Sequence, residues 1–327
     1  MRVLIYGAGS VGLGLGSFLL AGGARVTWLA RPRAAAALRL GGLERAGRFG
    51  EHRAEPGSFE VCEALAELPE GGEGFDFVLV TTKSFDSEAA AADLAAHEAA
   101  LGARALVVVC QNGWGSAEIF AESLGKARVY GARVITGFVR PTPARVEITA
   151  HAEPVAVGSL FGAPAEAAEP LCAALRRGGL PAETTDRLAE LLWAKLLYNG
   201  CLNALGALCG VPYGALAESP DTRALMGEVA EEIFRVMQAA GYRTRYPDAA
   251  AFLAALYAEL LPPTAAHESS TLQDLRAGRR TEIDALNGAV VRLAEAHGLE
   301  VPVNRSLVAT IHKLEKRARS GAAGLTR

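Results

Sequence analysis

The chain has 327 residues, half of them hydrophobic, so it is long enough for two domains of ordinary size. Its 33 Lys and Arg residues against 36 Asp and Glu residues give a formal charge of -3, without the basic excess typical of nucleic-acid-binding proteins. The five cysteines are odd in number and form no C-x-x-C pair, so we expect free, mostly buried thiols in a cytoplasmic, reducing compartment.

The chain begins with a strand, a glycine-rich turn, a helix and a second strand. Arg2–Tyr6 is apolar and β-branched, Gly7–Gly12 reads GAGSVG, Ser10–Ala21 is rich in small apolar residues, and Arg25–Leu29 is again strand-like. A β-α-β pattern within about thirty residues predicts a parallel pair of strands with a right-handed crossover. This pattern explains the apolar start of the chain better than a signal peptide does.

Further strands and helices follow up to about residue 184. Continuous apolar runs predict buried strands, and alanine-rich runs predict helices. The predicted strands are 76–81, 104–110, 128–135, 145–149, 155–158 and 180–184, and the predicted helices are 87–100 and 165–177.

Helical patterns dominate from residue 186 onward, with no convincing strand. Ser219 and Pro220 predict the start of one helix, and another is predicted from Glu282 to His297. We expect the basic segment after Lys316 to be frayed. Leu196–Ala217 carries no charge, but its Asn, Pro and Gly residues argue against a membrane span. The fold class is therefore α/β: a Rossmann-type parallel-sheet domain (1–185) followed by an all-helical domain (186–327).

The glycine turn predicts a dinucleotide-binding site because it lies between a strand and a helix. Gly7 allows the tight turn, Gly9 lets the backbone approach a pyrophosphate, and Gly12 lets the helix pack close to the strand. The helix amino terminus offers free N–H groups to the phosphates. A glycine-rich turn without a ligand is the alternative.

Arg31 follows the second predicted strand and favours NADPH over NADH. NAD sites usually carry an acidic residue here for the ribose 2′-hydroxyl, whereas this chain reads Trp28-Leu29-Ala30-Arg31. A guanidinium can pair with a 2′-phosphate. Arg33 is a second candidate for this role, and a solvated surface arginine is the alternative.

Lys195, Asn199 and Asn203 are spaced by four and share one face of a predicted helix. Their neighbours are mostly leucines, so these polar groups need partners. Desolvation would lower the pKa of Lys195 and make it a better proton donor near neutral pH. A solvated polar face is an equally good interpretation on this pattern alone. A second polar segment, 267–284, contains Glu282, which could hold Lys195 or contact a cofactor ribose, and Ser270, which could bind a substrate carboxylate; composition alone favours a charged surface there.

Several segments together resemble the ketopantoate reductase family (2-dehydropantoate 2-reductases). In chain order they are GAGSVG from Gly7, Arg31, TTKSFD around Lys83, QNGWGS around Asn112, KLLYNGCLN from Lys195, SSTLQDLRAGRRTEID from Ser269 and AHGLEVPVN near the carboxyl end. Their order and spacing agree with the family over essentially the full length.

The resemblance implies an enzyme that reduces the ketone of 2-dehydropantoate to (R)-pantoate with NADPH, in pantothenate biosynthesis. It implies that Lys195 donates the proton and that Glu282 lies near the lysine and the cofactor. The predicted cofactor contacts are Gly7, Ala8, Gly9, Ser10, Val11, Gly12, Arg31, Lys83, Asn112 and Glu282, and the predicted substrate contacts are Asn112, Lys195, Asn199, Asn203 and Ser270. No metal site is expected, because the six histidines are far apart in the chain.

Two departures from the family pattern leave the 2-oxo acid open. Tyr213 stands where the family often carries a substrate-binding Asn, and residues 136–141 (TGFVRP) differ from a more usual Thr- and Ala-rich run. The alternatives are a reductase of another 2-oxo acid, with a bulkier or apolar tail near Tyr213, and a non-catalytic NADPH-binding sensor. Lys195 and Glu282 argue against a sensor. Alanine-rich helices are compatible with a homodimer interface and equally with simple packing.

Overall fold

The computed structural model describes residues 1–69 and 71–324, with side chains up to Ser320. The chain divides into two compact units. The first comprises Met1–Gln111 and Ser116–Leu188, and the second comprises Asn112–Gly115 and the chain from Ala189 onward. The four residues Asn112–Gly115 therefore belong to the second unit, although the chain on either side of them belongs to the first. The single domain boundary predicted near residue 185 does not include this segment.

The strands all lie in the first unit. Within the described residues they are β1 Arg2–Tyr6, β2 Arg25–Leu29, β3 Leu43–Gly47, β4 His52–Ala54, β5 Glu60–Cys62, β6 Phe77–Val80, β7 Leu106–Val109, β8 Val129–Arg133, β9 Thr136–Thr142, β10 Arg145–His151, β11 Val155–Gly158 and β12 Ala182–Thr184.

The main sheet has the strand order β12-β11-β8-β7-β6-β1-β2-β5. All neighbouring strands are parallel except β8 and β11. The chain runs from β1 to β2 on one side, and later places β6 on the other side of β1. Such a reversal of strand order creates a crevice at the carboxyl ends of the strands, where ligands bind in open α/β sheets.

A second sheet has the order β4-β3-β10-β9. Its edge strand β9 lies against the first helix of the chain, where a Cβ added to Gly14 would come within 2.3 Å of the Phe138 ring. The segment 136–141, which departs from the family pattern, is therefore a strand packed on that helix.

The helices of the first unit are α1 Ser10–Ala21, α2 Pro32–Gly41, α3 Ser87–Ala96, α4 Glu98–Leu101, α5 Ser116–Leu124 and α6 Glu169–Arg177. Successive residues of β1 point to opposite faces of the sheet. Val3 and Ile5 join one apolar cluster, with Phe18 of α1, whereas Leu4 joins another, with Phe120 of α5. The sheet is therefore covered by helices on both faces, which confirms the predicted fold class.

The regular elements of the second unit are all helical within its described residues. Its helices are α7 Leu188–Cys209, α8 Tyr213–Glu218, α9 Pro220–Ala239, α10 Ala249–Ala255, α11 Ser270–Arg276, α12 Asn287–Ala296 and α13 Pro302–Gly324. Pro220 opens α9 as predicted. In the part of the chain that the structure describes, no helix is both long and apolar enough to cross a membrane.

Three predicted helix boundaries are wrong. The helix predicted over 87–100 is interrupted at His97, whose φ of -112° and ψ of 25° are not helical. The helix predicted from Glu282 begins at Asn287, because Leu286 has a ψ of -107°. Helix α13 continues to Gly324 and so includes most of the segment that was predicted to fray after Lys316. The last three residues of the chain lie outside the described residues.

Six elements of the first unit were not predicted at all. They are α2, α5, β3, β4, β5 and β9. Most of them are short or lack strong apolar periodicity, so tertiary pairing decides their structure more than local propensity does.

Candidate functional site

The glycine turn of the first unit follows β1 at the crevice of the main sheet. Gly7 has a φ of 117°, which strains any residue with a side chain. Its N–H donates to the carbonyl oxygen of Leu29 at 3.1 Å, and Thr81 Oγ1 donates to its carbonyl oxygen at 2.7 Å. A Cβ at Gly12 would lie 2.0 Å from that same Gly7 oxygen, so α1 can approach the turn closely only with glycine there.

Gly9 differs from Gly7 and Gly12 because the space beside it is open. A Cβ added to Gly9 would meet no described atom nearer than the Thr81 carbonyl oxygen, at 3.9 Å. Gly9 precedes α1 and has no side chain to cap the first N–H groups of that helix. Open space beside free N–H groups suits a pyrophosphate, so the residues from Ala8 to Gly12, which include Ser10 and Val11, fit the predicted cofactor site.

Arg31 lies between β2 and α2, with its side chain 89% exposed. Its guanidinium is 3.6 Å from the Asp86 carboxylate, a weak and solvent-screened ion pair. Arg33 is also exposed, one residue into α2. An accessible guanidinium at the carboxyl end of β2 is compatible with binding a 2′-phosphate.

Lys83 lies just beyond β6, on the other side of β1 from Arg31. Gln111, beyond β7, donates from Nε2 to the Lys83 carbonyl oxygen at 3.2 Å and to Thr82 Oγ1 at 3.3 Å. Ser87 Oγ donates to Gln111 Oε1 at 2.9 Å. This polar network fixes the backbone that carries Lys83.

One contact at the glycine turn was not predicted from the sequence. Arg140 of β9 donates from Nη1 to the Ala8 carbonyl oxygen at 3.0 Å. The local pattern of residues 136–141 does not predict this hydrogen bond of Arg140, because the bond depends on the packing of β9 along α1.

The second unit brings together three predicted site residues that are distant in sequence. Lys195 of α7 donates from Nζ to Asn112 Oδ1 at 2.8 Å. The Nδ2 group of Asn112 donates to Glu282 Oε2 at 3.5 Å. The Asn112 amide thus links the ammonium group to the carboxylate, and Glu282 is 8% exposed.

The segment Asn112–Gly115 is fixed in the second unit by an aromatic cluster and by one tight glycine. The Trp114 ring lies 5.0 Å from Trp193 and 4.7 Å from Tyr242, and the backbone N–H of Trp114 donates to the Ala285 carbonyl oxygen at 2.9 Å. Gly113 has a φ of 91°, and a Cβ there would lie 2.1 Å from the same Ala285 oxygen. The backbone next to Asn112 therefore has little freedom to move.

Thr281, the residue before Glu282, is held by a buried carboxylate on the last helix. Glu315 of α13 is 4% exposed, and its Oε1 accepts hydrogen bonds from both the backbone N–H and the hydroxyl of Thr281 at 2.7 Å. The carbonyl oxygen of Glu282 accepts the N–H of Ala285 at 3.0 Å. These contacts define the direction in which the chain presents the Glu282 side chain.

The other predicted substrate residues lie further along α7 and at the start of α11. Asn199 is partly buried, and Asn203 is 4% exposed. Ser270 is exposed in the first turn of α11, and the adjacent Ser269 donates from Oγ to the Asn203 carbonyl oxygen at 3.1 Å. Ser269 therefore ties the helix that carries Ser270 to Asn203.

Cysteines and metal ligands add no further chemistry to these residues. The five thiols are free, with Cys209 exposed and the others buried, as predicted. Among the described residues, no three His, Cys, Asp or Glu side chains are grouped so that they could hold a metal ion.

Comparison with known proteins identifies one family over nearly the whole chain. Residues 3–161 match the family model described as ketopantoate reductase PanE/ApbA, and residues 187–315 match the model of its C-terminal part. A 2-dehydropantoate 2-reductase of Aquifex aeolicus is 32% identical over 96% of this chain and 97% of its own length. One from Archaeoglobus fulgidus is 32% identical over 96% of this chain and 98% of its own.

Solved structures agree with this assignment. A PanE/ApbA family ketopantoate reductase from Ralstonia eutropha JMP134 is 32% identical, with a TM-score of 0.83 over 98% of this chain and 100% of its own. A D-mandelate dehydrogenase solved with NADH and anilino(oxo)acetate is 21% identical, with a TM-score of 0.86 over 97% of this chain and 99% of its own; it shows the shared fold alone. The chain belongs to the ketopantoate reductase family and is an oxidoreductase of CH–OH groups that uses a nicotinamide dinucleotide.

Proposed function

We propose that this chain reduces the ketone of 2-dehydropantoate to (R)-pantoate with NADPH. The observation that carries the proposal is the hydrogen-bonded series Lys195–Asn112–Glu282, which places an ammonium group in a partly buried site and fixes its direction. In this proposal the chain up to residue 185 binds the cofactor and residues 186–327 bind the substrate, apart from Asn112. A homodimer and a cytoplasmic location stay predictions.

Reduction of the ketone needs a group that stabilises the negative charge developing on the oxygen and then donates a proton to that oxygen. When bound, the nicotinamide supplies a hydride to the ketone carbon, and the carbonyl electron pair moves onto the oxygen. The Lys195 ammonium stabilises the charge that develops there and donates a proton to the oxygen, so that a hydroxyl group forms. The neutral amine of Lys195 then takes up a proton from solvent before the next cycle.

Asn112 and Glu282 act on Lys195 by orienting it. The N–H of the Asn112 amide faces the Glu282 carboxylate, which can only accept hydrogen bonds when ionised. If the amide turned over, its oxygen would face a carboxylate oxygen, which is unfavourable. The Oδ1 atom therefore stays directed at Lys195 Nζ, and the ammonium is fixed at one point.

The cofactor assignment rests on the geometry of the first unit. Open space at Gly9 and free N–H groups at the start of α1 fit the pyrophosphate. Arg31 supplies a cation where an NAD site usually has a carboxylate, so it would bind the 2′-phosphate of NADPH. Lys83 would contact the nicotinamide side.

The substrate assignment rests on one face of α7. Lys195, Asn199 and Asn203 follow one another at intervals of about 6 Å along the helix axis. A 2-oxo acid with its ketone at Lys195 would extend along this face, with Asn199, Asn203 and Ser270 offering hydrogen bonds to its polar groups. Reduction of another 2-oxo acid is the second candidate, because Tyr213 stands where the family often carries a substrate-binding Asn.

The test is oxidation of NADPH by the purified chain in the presence of 2-dehydropantoate and of a panel of other 2-oxo acids. We expect turnover of 2-dehydropantoate, with NADPH preferred to NADH. A clear preference for another 2-oxo acid would support the second candidate. Tight NADPH binding without turnover of any of them would contradict a reductase and favour a cofactor-binding sensor.

A further inference from the structure

Tyr213 is a buried phenol held in one position at the start of α8. The residue is 3% exposed, and its backbone N–H donates to the His267 carbonyl oxygen at 3.0 Å. Its ring meets the Tyr198 ring edge-on at a centroid distance of 5.8 Å and the His267 ring at 5.3 Å. The ring therefore cannot change its position without disturbing these contacts.

The Tyr213 hydroxyl donates a hydrogen bond to Asn203 Oδ1 at 2.5 Å. The backbone of Asn203 is also fixed, because Ser269 Oγ donates to its carbonyl oxygen at 3.1 Å. If the Asn203 amide turned over, the buried phenol proton would lose its acceptor, which is unfavourable for a buried donor. The hydrogen bond thus favours one orientation of the amide, with oxygen toward the phenol and Nδ2 away from it.

We propose that Tyr213 is a specificity-determining residue that makes Asn203 a hydrogen-bond donor toward the substrate. The inference rests on the proposed function, in which Asn203 contacts the tail of a 2-oxo acid. A donor in a fixed position selects tails that carry an oxygen able to accept a hydrogen bond, such as the oxygen of a primary alcohol or of an ether. A tail of the same shape without an oxygen leaves the buried amide N–H unpaired and is rejected.

Three substrates with a common carbon skeleton separate these cases. They are 2-dehydropantoate, its O-methyl ether, and the analogue in which methyl replaces the hydroxymethyl group. The alcohol can donate and accept, the ether can only accept, and the third compound can do neither. For the unaltered chain we expect kcat/KM to be at least about tenfold lower for the third compound than for the alcohol, while the ether remains a substrate.

The Tyr213→Phe variant removes the hydroxyl that orients the amide. The freed Asn203 can then also turn its oxygen toward the alcohol, but it gains nothing with the ether. We therefore expect the ether-to-alcohol ratio of kcat/KM to fall about fivefold or more. Tyr198→Phe is the matched control, because it removes a phenol from the same cluster whose hydroxyl bonds to Thr264 instead of Asn203. Its ratio should stay within about twofold of the unaltered chain.

The outcomes distinguish this inference from the proposed function. Absence of turnover with 2-dehydropantoate would remove the proposed function and with it the premise of the inference. Equal kcat/KM for the alcohol and the compound without oxygen would overturn the inference and leave the function standing. An ether-to-alcohol ratio unchanged in Tyr213→Phe would also overturn it. If that variant does not fold, the comparison of substrates on the unaltered chain still decides.

Discussion

The glycine turn of the first unit and the Lys195–Asn112–Glu282 series of the second are built in opposite ways. The turn is six consecutive residues, and the groups proposed to bind the pyrophosphate are backbone N–H groups at the start of α1. The series takes side chains from three segments, separated by 83 positions between Asn112 and Lys195 and by 170 between Asn112 and Glu282.

The two regions also differ in what keeps them rigid. The turn is fixed by close backbone approach, as between Gly12 and the Gly7 carbonyl oxygen. The side-chain series is fixed by hydrogen bonds and by packing around it, such as the Trp114 cluster and Glu315. A binding site for a constant group, the pyrophosphate, can therefore be local, whereas a group that moves a proton needs support from distant parts of the chain.

The sharpest test of the side-chain series is Lys195→Ala. We expect kcat to fall by about two to four orders of magnitude, the usual effect of losing a general acid, because Lys195 is the proton donor that Asn112 orients in the proposed function. NADPH binding, measured by fluorescence titration, should remain. Lys313→Ala, which removes an exposed lysine on α13, serves as control. A change in kcat below about threefold would exclude Lys195 from the mechanism.

Gly113→Ala tests whether the position of Asn112 matters apart from its chemistry. The added Cβ would lie 2.1 Å from the Ala285 carbonyl oxygen, so the segment must shift and Asn112 with it. We expect kcat to fall by about ten- to a hundredfold, as for a small misplacement of a catalytic group.

Gly125→Ala is the matched control for that variant. Gly125 has a φ of 89°, close to the 91° of Gly113, but no described atom lies within 4 Å of its Cβ position. Both variants share the strain of a left-handed backbone, and only Gly113→Ala adds the clash. Equal kcat in the two variants would mean that the loss comes from backbone strain and not from displacement of Asn112.

Arg31→Ala tests the first unit and has the smallest expected effect. The lost guanidinium is exposed, so we expect the KM for NADPH to rise by about tenfold, below the full value of a charge-assisted hydrogen bond. The KM for NADH should change little, since NADH lacks the 2′-phosphate. Arg25→Ala, at an exposed arginine that opens β2, is the control. Equal rises for both cofactors would show that Arg31 does not bind the 2′-phosphate.

Local elements and the glycine turn were predictable because each depends on consecutive residues. The strand Arg2–Tyr6, the helix Ser10–Ala21 and the strand Arg25–Leu29 have the predicted bounds, since apolar runs and glycines fix backbone conformation over short distances. The second sheet was not predicted, because its register depends on pairing between strands about a hundred positions apart, as between β3 and β10.

The candidate catalytic residues, too, were only partly predictable from local sequence patterns. Spacing by four placed Lys195, Asn199 and Asn203 on one face of α7, but left open whether that face is functional or merely solvated. Asn112 came from the family resemblance alone, and Glu282 was one candidate in a polar segment that composition alone assigned to a charged surface; no periodicity connects either with Lys195. Trp114, Glu315 and the Tyr213–Asn203 hydrogen bond carried no recognisable signal at all.

The amino-acid sequence by itself determined the α/β fold class, the glycine turn and the helix that carries Lys195. These follow from hydrophobic periodicity and glycine geometry, which act between neighbours in the chain. Only the tertiary structure decided that Asn112 belongs with the helical unit, that it links Lys195 to Glu282, and that Tyr213 fixes Asn203. Side-chain hydrogen bonds form between atoms that are close in space, and the packing of the whole unit determines which atoms those are.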